Sequence, residues 1–266
     1  MVNRIVLSVW NGAFLRAVDG DESLQAEIGE AIAQLKAKDV PMIVLTECDR
    51  AELEPIYQRL NLIDPFITES GSGIFTPVHH NSFDPALGEQ DGNYYVQELG
   101  CPYVQARAAL RVLANGVSHP LKGFGDFTVP KLERFLEISE AAAHRAKARE
   151  FSEPFMTPKA VDAQVLVEAA QELGFEIILR DPEKNRFSEL VAAGVSFSAA
   201  VKQVLSAYQH QALSGEALQV IGISRGEREL GAIAQACSSA DWKGFSIPPT
   251  DQLGVGWLKA IAPLLG

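Results

Sequence analysis

Apolar residues in this chain fall into short continuous runs that alternate with stretches of helical spacing. The run Arg4–Val9 stops at Asn11-Gly12, which predicts a buried first strand and then a turn. Leu24, Ile28, Ile32 and Leu35 recur at helical spacing and predict a helix over Glu22–Lys38 with Asp21 as its N-cap. Pro41–Leu45 predicts a second strand ending at Thr46, Ala51–Leu60 a second helix, and Pro65–Glu69 a third strand. A short strand, Ile74–Thr76, is expected beyond the turn Ser70–Gly73. This alternation implies a parallel sheet with right-handed crossovers.

The middle of the chain has a different texture. Val78–Asn93 carries Pro, Gly, Asn and Asp and reads as a loop or boundary. Strands are expected near Tyr94–Leu99, Phe151–Thr157 and Phe175–Leu179, and helices near Tyr103–Ala114, Val129–Lys147 and Lys159–Leu173. The polar stretch Asp181–Arg186 marks a return to the first pattern: helix Val195–Tyr208, strand Leu218–Ile223, strand Phe245–Ile247 and helix Val255–Leu265. The expected fold is α/β, a Rossmann-like core with a parallel sheet (1–80 and 186–266) plus an inserted α+β domain (81–185).

The length of 266 residues suits such a core with an insert, and 47% apolar residues are enough for a sizeable core. A formal charge of −11, from 23 basic against 34 acidic residues, argues against a uniform nucleic-acid-binding surface but leaves room for a local basic pocket. Cys48, Cys101 and Cys237 lie far apart without CxxC spacing, which points to reduced thiols. No apolar run is long enough to span a bilayer, and Ile5–Leu7 is too short for a signal peptide. The expectation is a cytoplasmic protein with neither nucleic acid nor membrane as partner.

Open α/β sheets bind ligands beyond the carboxyl ends of their strands. The segments to weigh are therefore Ser8–Ala13, Thr46–Asp49, Glu69–Gly73 and Ser224–Glu229. Four pieces in order carry a resemblance: the strand end at Ile5–Leu15, Val44–Thr46, Thr68–Pro77, and the heptapeptide Arg149-Glu150-Phe151-Ser152-Glu153-Pro154-Phe155. Together they resemble the haloacid dehalogenase (HAD) superfamily, subclass IIB, and within it sugar phosphatases of the mannosyl-3-phosphoglycerate phosphatase type. The resemblance covers nearly the whole chain and implies a HAD core with an inserted cap domain.

The family works through a D-x-D-G-T motif, whose first Asp attacks phosphorus and whose second protonates the leaving oxygen. Anchored on Gly12, this chain reads Val9-Trp10-Asn11-Gly12-Ala13. Val9 has no lone pair, and Asn11 is no useful proton donor near neutral pH. Thr46 matches the family's phosphoryl-binding hydroxyl. Phe197, within Ser196–Ala200, stands where the resemblance implies a Lys, with Lys202 about a turn away. Arg225 replaces the first magnesium-binding Asp of the fourth motif, and Glu229 replaces the second. The family implies Mg2+, whereas a cation at Arg225 repels another cation; like charges about 4 Å apart oppose each other by roughly 4 kcal/mol at an effective dielectric near 20.

The expectation is therefore a pseudophosphatase with no catalytic residue, no metal site and no cofactor. Asn11, Gly12, Thr46 and Arg225, with Arg149, Ser152 and Glu153 of the cap, are its ligand-binding candidates. The ligand would be a small anionic sugar or glycerate, and a sugar-metabolism protein is the other partner expected. The competing readings are an active phosphate monoester hydrolase with a rearranged site built on Glu47, Asp49 or Glu229, using Mg2+, and a pure interaction protein. Arg225 either grips an anion in bidentate fashion or pairs with Glu47, Glu227 or Glu229. Trp10 and Phe197 either pack or fill the cleft. Cys48 has no base paired with it in sequence, His79-His80 lack metal-site spacing, Ser224 lies outside any G-x-S-x-G, and Gly71-Ser72-Gly73 is a turn rather than a phosphate loop. Glu69 and Ser70 are expected to shape their loop.

Overall fold

The computed structural model describes residues 4–79, 88–180, 186–211, 218–237 and 241–265. The elements run β1 (Arg4–Val9), α1 (Gly12–Asp19), α2 (Glu22–Ala37), β2 (Met42–Leu45), α3 (Arg50–Arg59), β3 (Phe66–Thr68), β4 (Gly73–Pro77), β5 (Glu89–Asp91) and β6 (Tyr94–Glu98). They continue with α4 (Tyr103–Gly116), α5 (Val129–Leu136), α6 (Glu140–Arg145), β7 (Glu153–Met156), α7 (Ala163–Glu172), β8 (Phe175–Ile178) and β9 (Phe187–Ala192). The chain closes with α8 (Phe197–Gln211), β10 (Gln219–Ser224), α9 (Glu227–Ala236), β11 (Asp241–Ser246) and α10 (Leu253–Leu265). These elements form two compact units: Met1–Cys48, Leu53–Gln97 and Ser196–Gly266 in the first, Asp49–Glu52 and Glu98–Val195 in the second.

The first unit holds a sheet in the order β11-β10-β1-β2-β3-β4-β6-β5. The run from β11 to β3 is parallel, and β4 turns back antiparallel on β3. Parallel strands covered on both faces need apolar side chains on both, and Ile5, Val6 and Leu7 of β1 and Met42–Leu45 of β2 are all buried. α1, α2 and α10 pack on one another, and α8 packs on α9. The turn expected after β1 is the start of a helix instead. Asn11 caps α1 through its side-chain oxygen, and Phe14, Leu15 and Val18 bury one face of it. Asn-Gly signals a turn and a helix start alike, so the dipeptide alone does not separate them.

The second unit is a three-stranded antiparallel sheet, β7-β9-β8. Leu110 and Leu113 of α4 and Leu166 and Ala170 of α7 pack with Phe155, Ile177 and Leu190 of the sheet. A second cluster gathers Phe124, Phe127, Leu132 and Phe187. The unit's limits differ from the expected 81–185. β5 and β6 extend the first unit's sheet, and β9, which the sequence reading passed over, is the middle strand of the second. The single helix expected over Val129–Lys147 is two, because Glu137 turns left-handed and Ser139 caps a new start. Asp181–Asn185, most of the stretch read as the return point, lies outside the described residues.

Candidate functional site

Parallel register brings five chain segments to one edge of the first unit. Val9 is level with Leu45, Ser8 with Ile223, Leu45 with Ile67, and Ser224 with Ser246. Just beyond lie Trp10–Gly12, Thr46–Glu47, Thr68–Gly71, Arg225 and the connection after β11. Four of these lie in the segments that the sequence singles out, and the register gathers them with a fifth, the connection after β11.

The side chains there are engaged with one another. Val9 ends β1 half-buried. The Asn11 carboxamide oxygen accepts the Phe14 N–H at 2.9 Å, and the Gly12 N–H donates to Glu47 Oε1 at 3.2 Å. Thr46 is fully buried, and its hydroxyl oxygen accepts the Cys48 N–H at 3.1 Å. The Ser70 N–H donates to the Thr46 carbonyl at 3.2 Å and the Glu69 N–H to the Cys48 carbonyl at 3.0 Å. Glu69 and Ser70 both take left-handed backbone, φ 48° and 58°, ahead of Gly71 at 105°. A Cβ on Gly71 would stand 2.4 Å from the Ser196 carbonyl oxygen, so this buried turn fits only glycine there. Glu69 thus shapes its loop.

Arg225 meets main chain rather than the carboxylates of Glu47, Glu227 or Glu229. Its guanidinium donates to the Pro248 carbonyl at 3.4 Å and to the Asp251 carbonyl, while its buried Nε has no hydrogen-bond partner among the described residues. Glu229 sits in the first turn of α9, where a carboxylate suits the helix dipole, and lies against Gly226. Lys202 is exposed on α8. Cys48 is buried, its Sγ 3.4 Å from where a Cβ of Gly12 would be.

Trp10 does not fill this edge. It is fully buried, stacked on Phe14 at 4.9 Å and edge-on to Trp257 at 6.2 Å between ring centres. Both indole N–H groups donate to Ser8 Oγ, each at 2.8 Å. Trp10 is a core residue because a large ring with one donor is stable inside once that donor is satisfied. Phe197 is half-buried at the start of α8.

The heptapeptide side chains, in the second unit, do not converge. Ser152 and Arg149 both meet Glu189: the Ser152 hydroxyl donates to Oε1 at 2.8 Å, and Arg149 Nη1 lies 3.3 Å from it. Arg149 Nε lies 3.8 Å from Asp49 Oδ2. Glu153 faces the other way. It pairs across the sheet with Leu190 while Pro154 pairs with Glu189, so strand alternation sends Glu153 and Glu189 to opposite faces. Glu153 accepts the Gly125 N–H at 3.0 Å, and a Cβ on Gly123 would strike its carboxylate. Burial raises its pKa, against the lowering pull of Tyr103, the Gly125 N–H, Arg107 and Arg149. Arg50 and Glu150 form a two-bond ion pair, 3.0 Å at each contact. Sequence reasoning missed Glu189, Tyr103 and Arg107, and an apolar β9 flanking Glu189 was the one available signal.

A cavity of ≈ 710 Å3 in the first unit lies away from that edge, lined by Lys36, Asp39, Tyr57, Asp64, His79 and Tyr94 among others. Asp64 there has its pKa raised to about 6 by burial, against the Met42 N–H bond and Lys36. His79 is exposed at its rim, and His80 lies outside the described residues.

No protein-family model matches the chain. Among solved structures, a haloacid dehalogenase-like hydrolase from Bacteroides thetaiotaomicron aligns over 99% of this chain and 100% of its own, with a TM-score of 0.56 and 14% identity. A Thermoplasma acidophilum protein aligns over 100% and 98%, with a TM-score of 0.58 and 13% identity. The fold is that shared with these HAD-like structures. In sequence, the chain is 28% identical over 200 residues to the glucosyl-3-phosphoglycerate/mannosyl-3-phosphoglycerate phosphatase of Persephonella marina, covering 75% of this chain and 71% of that one. It is 34% identical over 125 residues to the protein of the same name from Methanococcoides burtonii, covering 47% and 46%. In sequence it thus resembles mannosyl-3-phosphoglycerate phosphatases, and in fold HAD-like hydrolases, although the match spans only about half of the Methanococcoides protein.

The Mg2+ that such a fold implies does not fit these residues. Val9 offers no donor atom, the Asn11 oxygen already caps α1, and Arg225 brings a fixed positive charge. Among the described residues, no group of three His, Cys, Asp or Glu side chains is placed to hold a metal.

Proposed function

We propose that this chain is a pseudophosphatase: a HAD-type sugar-phosphatase homologue that no longer hydrolyses phosphate monoesters through an aspartyl phosphate. The observation that carries the reading is the end of β1, where Val9 has no nucleophilic atom and the Asn11 carboxamide is engaged as a helix cap. Losing one member of a catalytic unit typically costs roughly 10⁴–10⁶ in rate, and here the nucleophile and the acid are both replaced.

What remains is recognition, of a phosphorylated or anionic sugar or glycerate, or of a protein of sugar metabolism. The names of the relatives, glucosyl- and mannosyl-3-phosphoglycerate phosphatases, support the small-molecule ligand. The buried Arg149 and Ser152 are the cap groups suited to an anionic or hydroxylated ligand, though each is already engaged by Glu189. The test is a Mg2+-dependent phosphatase assay on glucosyl- and mannosyl-3-phosphoglycerate, with calorimetry on the same compounds. Binding without turnover is expected. Turnover abolished by Glu47→Gln or Glu229→Gln would establish the rearranged hydrolase instead, and trapping a phosphorylated protein intermediate would end the proposal.

A further inference from the structure

The misfit with a metal has a counterpart in what the chain places at the same edge. We infer that this edge is closed by charges of its own, the Glu47 carboxylate standing in for a bound anion and the Arg225 guanidinium for a bound cation. The inference rests on the pseudophosphatase reading only in taking this edge as the ancestral site.

The first N–H groups of a helix have no partners within it and carry partial positive charge. In α1 two of them are met by side chains: Asn11 takes the Phe14 N–H, and Glu47, just past β2, takes the Gly12 N–H. A further anion there would lose that donor to Glu47 and face a charge of its own sign. Just past the neighbouring strand β10, Arg225 donates to two main-chain carbonyls, Pro248 and Asp251, in the connection between β11 and α10. Carbonyl oxygens are the ligands a hard cation would gather. A guanidinium gathers them with a charge that cannot leave. Arg225 is therefore a positioning residue, fixing the start of α10, whose Trp257 completes the buried aromatic cluster.

The probes are MgCl2, EDTA and inorganic phosphate, and the readouts are thermal unfolding and calorimetry on the full chain. The wild-type Tm is expected to stay unchanged by all three. Glu47→Gln keeps an acceptor for Gly12 but removes the charge, and Glu47→Ala removes both; phosphate should then raise Tm by about 2–4 °C. Asn11→Asp with Arg225→Asp should gain a similar rise from MgCl2, while Asn11→Asp alone, which keeps the cap, should not. A wild-type Tm that rises with phosphate or Mg2+ would overturn the inference, as would variants that respond no more than wild type. These readouts involve no turnover, so a phosphatase activity found in wild type would defeat the proposed function and leave the closure result to stand or fall separately.

Discussion

Ser8→Ala is the substitution whose cost follows most directly from the structure. Ser8, Trp10 and Trp257 are all fully buried, and a single hydroxyl oxygen accepts both indole N–H groups at 2.8 Å. Alanine would leave two buried donors with no acceptor. Each orphan costs about 1–3 kcal/mol, partly offset because the serine hydroxyl itself no longer has to be desolvated. The expected loss is about 2–4 kcal/mol. With a urea m-value of about 2 kcal/mol/M, the midpoint should fall by about 1–2 M. Urea unfolding followed by far-UV circular dichroism reads this, and it serves equally for variants that lack the cluster's two tryptophans. The decisive measurement is a cycle with Trp10→Phe and Trp257→Phe. Each removes one donor, so the Ser8→Ala cost should shrink stepwise and fall to about 1 kcal/mol or less with both phenylalanines. A cost below about 1 kcal/mol in wild type, or one indifferent to the tryptophans, would refute the shared-acceptor argument.

Gly71→Ala should cost at least about 2 kcal/mol, because the residue sits at φ 105° and its Cβ would meet the Ser196 carbonyl at 2.4 Å; a urea midpoint shift measures it. Asp64 has a folded pKa raised to about 6, so its protonated form favours the native state. That contribution is full below the ordinary carboxylate pKa and is lost as pH rises through 6; wild type should therefore lose up to about 3 kcal/mol from this group between pH 4 and 7, and Asp64→Asn should flatten that slope in a pH series of unfolding curves. Glu189→Ala should destabilise by about 3 kcal/mol, since it takes from the buried Arg149 and Ser152 their common acceptor. Glu153→Gln should instead be neutral or stabilising near pH 7 and less favourable near pH 4, because burial already disfavours its charged form; thermal unfolding at the two pH values separates these cases.

The core sheet was legible because its strands are buried on both faces and so write themselves as unbroken apolar runs: Ile5–Leu7 and Met42–Leu45 need no context to be read. The edge strand β11 shows in the sequence only as Phe245–Ile247 for the opposite reason, as Asp241, Lys243 and Gly244 are exposed and leave no run to follow. Of the site, the positions were legible and the partners were not. A strand end announces where a ligand-facing residue sits, but whether Arg225 meets a carboxylate or a carbonyl depends on a connection 23 residues downstream. The heptapeptide failed in a similar way. Ser152 and Glu153 are neighbours in sequence, which suggests one site, while the pleat sends them to different partners, Glu189 and Gly125.

The same alternation explains how the end of β1 can change its chemistry and keep its fold. Ser8 and Val9 are consecutive in a strand and face opposite ways. Ser8, with Trp10, points into a layer closed by Phe14 and Trp257, in which rings and donors are satisfied without reference to Val9 or Asn11. Asn11 in turn keeps the cap that an aspartate at this position would also supply, since both side chains accept from the helix amides equally well. The two positions at which the resemblance expects ionisable carboxylates are thus positions whose structural duties a neutral residue can discharge. The core therefore does not depend on a carboxylate at either position, so the proposed loss of phosphatase chemistry needs no loss of stability, and Glu47 and Arg225 have contacts of their own at the same edge.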